Sequence, residues 1–365
     1  MLSRAAAVES AKQSVKTAIA GLISVYITGL FRLPEGYWAA ITALIVMQSN
    51  IGATLNASRA RLAGTAVGAV VGGSFVAWFS QSFLGRDMLG FALAVAIAFF
   101  LCDLLHLADS QRLATVTVAI IMLIGRNSTA WTVALHRFSE VALGIIIALV
   151  VSLTLWPTHA HRGLRQGIAT ALAKYRTFYR TVMRRYRSHT AGPVGIASAE
   201  TVEPLRAEVS EALRKNADLL KNTLQEPFGP LKPRESLASL ARQMERVFAA
   251  LETVEFAVRE SSSDIYLRSI ETGLDQLETG IDRALESLSD NISAAGEPVT
   301  DWPDLPAILA SLDDHAAQAR RASASHADAL DDVLRFYFLL LSSRNLVKEL
   351  EAARAIASVA TEKAG

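Results

Sequence analysis

The first 157 residues contain six apolar runs, separated by short polar breaks. The third, fourth and sixth runs reach the length of about 20 residues that a membrane-spanning helix needs. The second and fifth are shorter, at roughly a dozen residues each. The runs fall at about Val15–Phe31, Tyr37–Gln48, Leu62–Phe83, Met88–Leu107, Leu113–Gly125 and Phe138–Trp156. The pattern predicts six membrane helices, two of them unusually short.

The six runs resemble an internal repeat, in which a set of three runs occurs twice. The segment Arg-Leu-Ala-Gly-Thr-Ala-Val-Gly begins at Arg61, and Arg-Phe-Ser-Glu-Val-Ala-Leu-Gly begins 76 residues later at Arg137. The same offset lays Ile41–Met47 onto Thr117–Leu123. An odd number of spans per copy places the second copy upside down, and inverted repeats are typical of transporters that bind substrate near the midplane.

The two short runs occupy equivalent positions in the two copies. Paired short segments indicate a transport site, because half-helices and irregular backbone are tolerated where they line a cavity. The alternative is that polar flanks such as Gln48–Asn50 extend two ordinary helices.

Two arginines are the first candidates for an anion site. Arg61 and Arg137 are expected at the N-terminal ends of long spans, on opposite sides of the membrane, where free N–H groups and the helix dipole favour an anion. Arginine also binds a carboxylate bidentately. The alternative is that both side chains extend to the lipid headgroups. Arg59 is expected to point elsewhere.

Four further side chains are candidates for proton coupling. Asp103, His106 and Asp109 follow the fourth run at spacings of three, so they would share one helix face and form a relay. The alternative is the ordinary polar end of a helix. Glu140 lies three residues after Arg137 and either neutralises it or takes up a proton.

Glycines form a smooth face on the third predicted helix. Gly64, Gly68 and Gly72 are spaced by four residues, which allows another backbone to approach closely. This face serves either plain helix packing or a narrow pathway.

Charge divides the chain into three parts. Residues 1–157, the predicted membrane domain (repeats about 12–84 and 88–157), hold ten basic and six acidic residues. Residues 158–199 hold eight basic residues and no acidic one, and residues 200–365 hold 18 basic and 29 acidic. Because basic residues concentrate on the cytoplasmic side, both termini are expected in the cytoplasm.

The polar part predicts a helical bundle. The segment 162–187 reads as a basic juxtamembrane helix that binds either anionic lipid headgroups or the acidic helices of 200–365. Nucleic acid is not expected as a partner. Within the last helix, the run Arg335–Leu341 is nearly all apolar and predicts central burial.

No pattern for catalysis or metal binding occurs. The chain has one cysteine, no phosphate-binding loop and no hydrolase signature. His159 and His161, like His315 and His326, lack further ligands at metal spacing. We therefore expect no enzyme activity, no cofactor and no metal.

The segment Leu33-Pro-Glu-Gly-Tyr-Trp-Ala-Ala-Ile-Thr-Ala43, followed by Arg61-Leu-Ala-Gly-Thr-Ala-Val-Gly68, resembles the fusaric acid resistance family of bacterial inner-membrane proteins. The similarity covers roughly residues 10–157, and Leu330–Leu350 is similar to the end of the family's cytoplasmic domain. It implies six membrane helices, a cytoplasmic helical domain and transport of organic anions. Larger members carry this unit twice, which implies a homodimer here.

The leading hypothesis is therefore a proton-linked exporter or channel for organic carboxylates, with aromatic carboxylates favoured. Arg61 and Arg137 would attract the carboxylate, Tyr37 and Trp38 would stack on the ring, and Thr65 offers a hydroxyl. The alternative is a non-transporting membrane scaffold or sensor that acts through its cytoplasmic domain.

Overall fold

The computed structural model describes residues 4–33, 35–79, 84–124, 130–189, 202–226, 231–260, 267–294, 301–323 and 330–362. These ranges form helices and contain no β-strand, which confirms the all-α prediction. The helices are α1 Arg4–Leu30, α2 Tyr37–Val46, α3 Ile51–Phe79, α4 Leu84–Leu104, α5 Gln111–Ile124, α6 Ala130–Thr154, α7 Ala160–His189, α8 Val202–Gln225, α9 Leu231–Glu260, α10 Leu267–Ser293, α11 Leu305–Ser323 and α12 Leu330–Glu362.

The chain divides into two compact units. Unit 1 comprises Met1–Ala160 and Gln225–Pro227, and unit 2 comprises His161–Leu224 and Phe228–Gly365. The helices α1 to α6 of unit 1 correspond to the six predicted runs. Part of the predicted linker, 190–199, lies outside the described residues, as does His326.

The break between α2 and α3 is fixed by hydrogen bonds. The helix α2 ends at Val46, and Met47 is extended. The Asn50 side chain accepts the Ala53 N–H at 2.8 Å, so it caps the start of α3. The Thr54 hydroxyl accepts the Gln48 N–H at 3.1 Å. The polar residues that follow Val46 therefore begin a new helix and do not lengthen α2.

The helices that carry Arg61 and Arg137 begin well before their apolar runs. The helix α3 begins at Ile51 and α6 at Ala130, whereas the sequence predicted Leu62 and Phe138. The added turns are rich in alanine and other residues that a helix accepts, so they extend it without being strongly apolar. Among the described residues, Ile51–Trp78 and Trp131–Thr154 are long and apolar enough to cross a membrane, and Tyr37–Val46 and Met88–Leu104 are shorter apolar helices.

In unit 1, helices of one predicted repeat pack on helices of the other. The helix α3 packs on α5 and α6 packs on α2, while α1 packs on α2 and α4 on α5. The long helices α3 and α6 also pack on each other. They run antiparallel, because Gly73 faces the Trp131 ring and the earlier Ala69 clusters with the later Ala134.

The glycine face of α3 packs against α5. A Cβ atom at Gly64 would lie 2.7 Å from the Ser110 carbonyl oxygen, and one at Gly68 would lie 2.5 Å from that of Ala114. At Gly72 the nearest atoms, of Val118 and Ile121, would lie at 3.3 Å. The three glycines thus allow two helix backbones to meet.

Large apolar side chains cover the outside of unit 1. Leu22 and Tyr26 of α1, Phe100 of α4, and Leu135 and Ile146 of α6 are each more than half exposed. Such a surface is costly in water and suits contact with lipid.

Unit 2 is a helical bundle with α7 in its core. The Tyr175 hydroxyl donates to the Met244 carbonyl at 2.8 Å, and its ring stacks on Phe248 of α9. On the other side of α7, Arg176 and Arg180 form ion pairs with Asp282 of α10. The basic helix therefore contacts acidic residues of its own unit, and binding to anionic lipid stays a prediction.

The prediction of central burial for Arg335–Leu341 is wrong in part. Phe336, Leu339 and Leu340 are buried, but Leu341 is 62% exposed and Tyr337 39%. Consecutive side chains of a helix point in all directions, so α9 covers only one side of this run.

Candidate functional site

Two arginine side chains are buried within apolar helices, away from the helix ends. Arg61 of α3 is 4% exposed and Arg137 of α6 is 2% exposed. Nε of both residues and Nη1 of Arg137 have no hydrogen-bond partner in the part of the chain that the structure describes. Unsatisfied donors of a buried charged group are costly, so a ligand that accepted hydrogen bonds from these atoms would be stabilising.

The position of both arginines differs from the sequence-based expectation. Arg61 lies ten residues after the start of α3 and Arg137 seven residues after the start of α6. At 1.5 Å per residue, they lie about 15 Å and about 10 Å along their helices. Neither side chain lies at a helix N-terminus, and the dipole argument for an anion site there is wrong.

The two arginines also lie near each other and not on opposite sides of the membrane. The charge of Arg137 is within electrostatic range of Arg61, which repels it, and of Glu140 and Glu35, which attract it. Glu140 is 3% exposed, and its Oε2 has no hydrogen-bond partner among the described residues. Arg61, Arg137 and Glu140 thus form a buried charged group with a net charge of +1.

Trp38 of α2 covers one face of Arg137. The guanidinium carbon lies 3.3 Å from the centre of the indole ring, a cation–π contact. The Tyr37 ring lies beside Trp38, at 5.2 Å between centroids, and is 53% exposed. With one face of Trp38 occupied by Arg137, Tyr37 is the more accessible ring for an aromatic ligand.

Buried hydroxyl groups extend this site. Thr65 lies one helical turn after Arg61 and Thr42 one turn after Trp38. Both are fully buried, and their Oγ1 atoms have no partner within the described ranges. We use the name buried polar cluster for Arg61, Thr65, Thr42, Arg137 and Glu140, together with the half-buried Trp38 that covers Arg137. It combines positive charge with hydroxyl and N–H donors, which are the groups that bind carboxylates.

The predicted relay of Asp103, His106 and Asp109 is not part of the cluster. The helix α4 ends at Leu104, so His106 and Asp109 do not continue its face. All three are exposed, and Asp103 accepts a hydrogen bond from Gln111 at 3.2 Å. The expectation that they share one helix face is wrong because the chain turns at His106, whose φ is 57°.

Two members of the site neighbourhood were not predicted as site residues. Thr42 is visible in the sequence only as a hydroxyl in an apolar run, one turn after Trp38. Glu35 precedes α2 and is half-buried. Its proximity to Arg137 depends on the packing of α2 on α6, which the sequence pattern does not give. Arg59 is exposed, as expected.

Comparison with known proteins places the chain among membrane proteins. It matches the fusaric acid resistance protein family over residues 10–361. It is 26% identical over 166 residues to inner membrane protein YccS of Escherichia coli, covering 46% of this chain and 22% of YccS. Inner membrane protein YeeA of the same organism is 28% identical over 174 residues, which is 46% of each chain. A UPF0421 protein of Bacillus cereus is 26% identical over 145 residues, covering 40% of this chain and 39% of that protein.

Proposed function

The chain belongs to the fusaric acid resistance protein family, whose members are membrane proteins that generally act as transporters, and we propose that it moves organic carboxylate anions across the bacterial inner membrane. The chain spans less than half the length of the three relatives that it matches, so substrate and mechanism are proposed from its own residues.

The proposal rests on the paired burial of Arg61 and Arg137. A buried charge in a membrane helix is costly and usually marks a substrate or ion pathway. A plain membrane anchor has no need of two such charges with unpartnered N–H groups. A carboxylate between them would relieve their mutual repulsion and accept their free donors.

Aromatic carboxylates are the substrate class that fits the neighbouring side chains. The ring of Tyr37 offers an exposed face beside the site, and Trp38 holds Arg137 in place. The hydroxyls of Thr42 and Thr65 add donors for the carboxylate. Glu140, the buried carboxyl of the cluster, is the proposed group for proton linkage.

Six membrane helices with both termini in the cytoplasm complete the proposal. The helices α3 and α6 pack antiparallel, and α3 packs on α5 as α6 packs on α2. Both observations support an inverted relation of the two copies. A cytoplasmic fluorescent reporter and a periplasmic alkaline phosphatase reporter at the C-terminus test the orientation. Phosphatase activity without fluorescence would contradict it.

Carboxylate exchange in proteoliposomes tests the function. Vesicles with the purified protein are loaded with unlabelled benzoate, and uptake of labelled benzoate is followed at pH 8, where the acid is almost wholly ionised. Loss of one charge-assisted contact costs about 1.5–3 kcal/mol. Arg61→Gln should therefore weaken apparent affinity about ten- to a hundredfold. Arg61→Lys should recover only part of it, since a point charge lacks the planar guanidinium geometry.

Arg59→Gln is the matched control, because Arg59 is exposed and lies only two residues away on the same helix. It should transport like the wild type. Normal transport by a folded Arg61→Gln protein would refute the site. An absence of exchange by the wild-type protein, across several aromatic and aliphatic carboxylates, would favour the scaffold alternative.

A further inference from the structure

The buried charges of the cluster are unequal in number. Arg61 and Arg137 provide two positive charges, and Glu140 provides one negative charge, all at less than 5% exposure. Resting on the proposed function, we propose that Glu140 makes this site selective for monocarboxylates over dicarboxylates.

Glu140 is placed to act on the same ligand position as Arg137. It lies one helical turn after Arg137 on α6, and the two charges attract each other. Yet Oε2 of Glu140, and Nε and Nη1 of Arg137, have no hydrogen-bond partner in the described residues. The donors of Arg137 are therefore not all used by Glu140, and a ligand can bind beside it.

Charge balance then sets the ligand class. One bound carboxylate brings the buried charges to two positive and two negative. A second carboxylate on the same ligand adds an uncompensated negative charge in a region of low dielectric constant, where such charges are costly. Half-buried Glu35, which precedes α2, adds further repulsion. Without the Glu140 charge, the two buried arginines would balance a dianion, and only the half-buried Glu35 would still repel it.

Two ligands of nearly equal size that differ by one negative charge test this inference. Phthalate has two carboxylates, and monomethyl phthalate has one carboxylate and one ester on the same ring. Binding of each to the purified full-length protein in detergent is measured by isothermal titration calorimetry at pH 8. The wild type should bind the monoester at least about tenfold more tightly than phthalate, a difference of about 1.4 kcal/mol.

Three variants test the assignment. Glu140→Gln should change the ratio of the two affinities by at least about tenfold in favour of phthalate. Glu140→Asp keeps the charge and should keep the preference for the monoester. Glu9→Gln removes an exposed carboxylate of α1 that pairs with Lys12, and should leave both affinities unchanged.

The outcomes separate the two proposals. Binding of the monoester with an unchanged ratio in a folded Glu140→Gln protein would overturn the role of Glu140 and leave the anion site standing. If that variant does not fold, the wild-type ratio decides, because equal or tighter binding of phthalate contradicts a charge filter. Wild-type protein that binds neither ligand would overturn the proposed function and this inference with it.

Discussion

Gly68 offers a direct test of how closely α3 and α5 pack. A Cβ atom at this position would lie 2.5 Å from the carbonyl oxygen of Ala114 and 2.6 Å from Cβ of Thr117. The first of these atoms belongs to the backbone of α5, so it cannot rotate away. Gly68→Ala must therefore push α3 and α5 apart or distort one of them.

The expected loss of stability follows from two opposing terms. Alanine in place of glycine favours a helix by about 1 kcal/mol, while overpacking a tight contact costs about 1–3 kcal/mol. Gly68→Ala should thus lower the free energy of unfolding by up to about 2 kcal/mol. Gly29→Ala is the matched control, because a Cβ atom there meets no described heavy atom within 4 Å. It keeps the helical gain, so the two variants should differ by about 1–3 kcal/mol.

Melting temperatures of the full-length protein in detergent, measured by intrinsic tryptophan fluorescence, provide the assay. At about 2–4 °C per kcal/mol, Gly68→Ala should melt roughly 2–12 °C below Gly29→Ala. Equal melting temperatures for the two alanine variants would refute the close approach of α3 and α5.

Two further predictions concern Trp38 and Asp282. Trp38→Leu should weaken carboxylate binding about ten- to thirtyfold, since a desolvated cation–π contact contributes about 2 kcal/mol. Trp38→Phe keeps an aromatic face for Arg137 and should lose much less, so equal losses in calorimetry would contradict this role. Burial raises the pKa of Asp282, but hydrogen bonds from Arg176 and Arg180 more than offset this effect and leave the pKa lowered. The ionised Asp282 therefore contributes its full stabilisation at neutral pH, and this stabilisation is lost as the pH falls through the lowered pKa. Asp282→Asn should therefore lower the melting temperature at pH 7 more than Asp275→Asn does, and this difference between the two variants should disappear in acid. A difference that persists at low pH would show that the ion pairs of Asp282 are not its cause.

Hydropathy predicted which helices exist better than where they begin. The six runs of the first 157 residues each correspond to one helix of unit 1, and α2 and α5 remain short, at 10 and 14 residues. The start of α3 was predicted eleven residues late. Asn56, Ser58 and Arg59 dilute the apolar signal there, but these residues can occupy a helix, and the Asn50 cap fixes its first turn.

The predicted positions of candidate site residues were wrong where they depended on the residue at which a helix begins or ends. The spacing of Asp103, His106 and Asp109 indicates one face only if the helix continues, and it ends at Leu104. The contact of Trp38 with Arg137 joins side chains 99 positions apart and depends on the packing of α2 on α6. No local pattern specifies such a contact. The family resemblance, in contrast, is confirmed over residues 10–361.

The late predicted starts of α3 and α6 had a consequence for the site itself. Arginines at the N-termini of antiparallel helices would lie at opposite membrane faces, separated by most of the roughly 40 Å length of α3. The earlier starts move both side chains inward, by about 15 Å on α3 and about 10 Å on α6. Because the helices run in opposite directions, these displacements bring the two side chains toward each other. Equivalent residues of the two predicted repeats can meet at the proposed anion site only when both lie away from the helix ends, and Arg61 and Arg137 do.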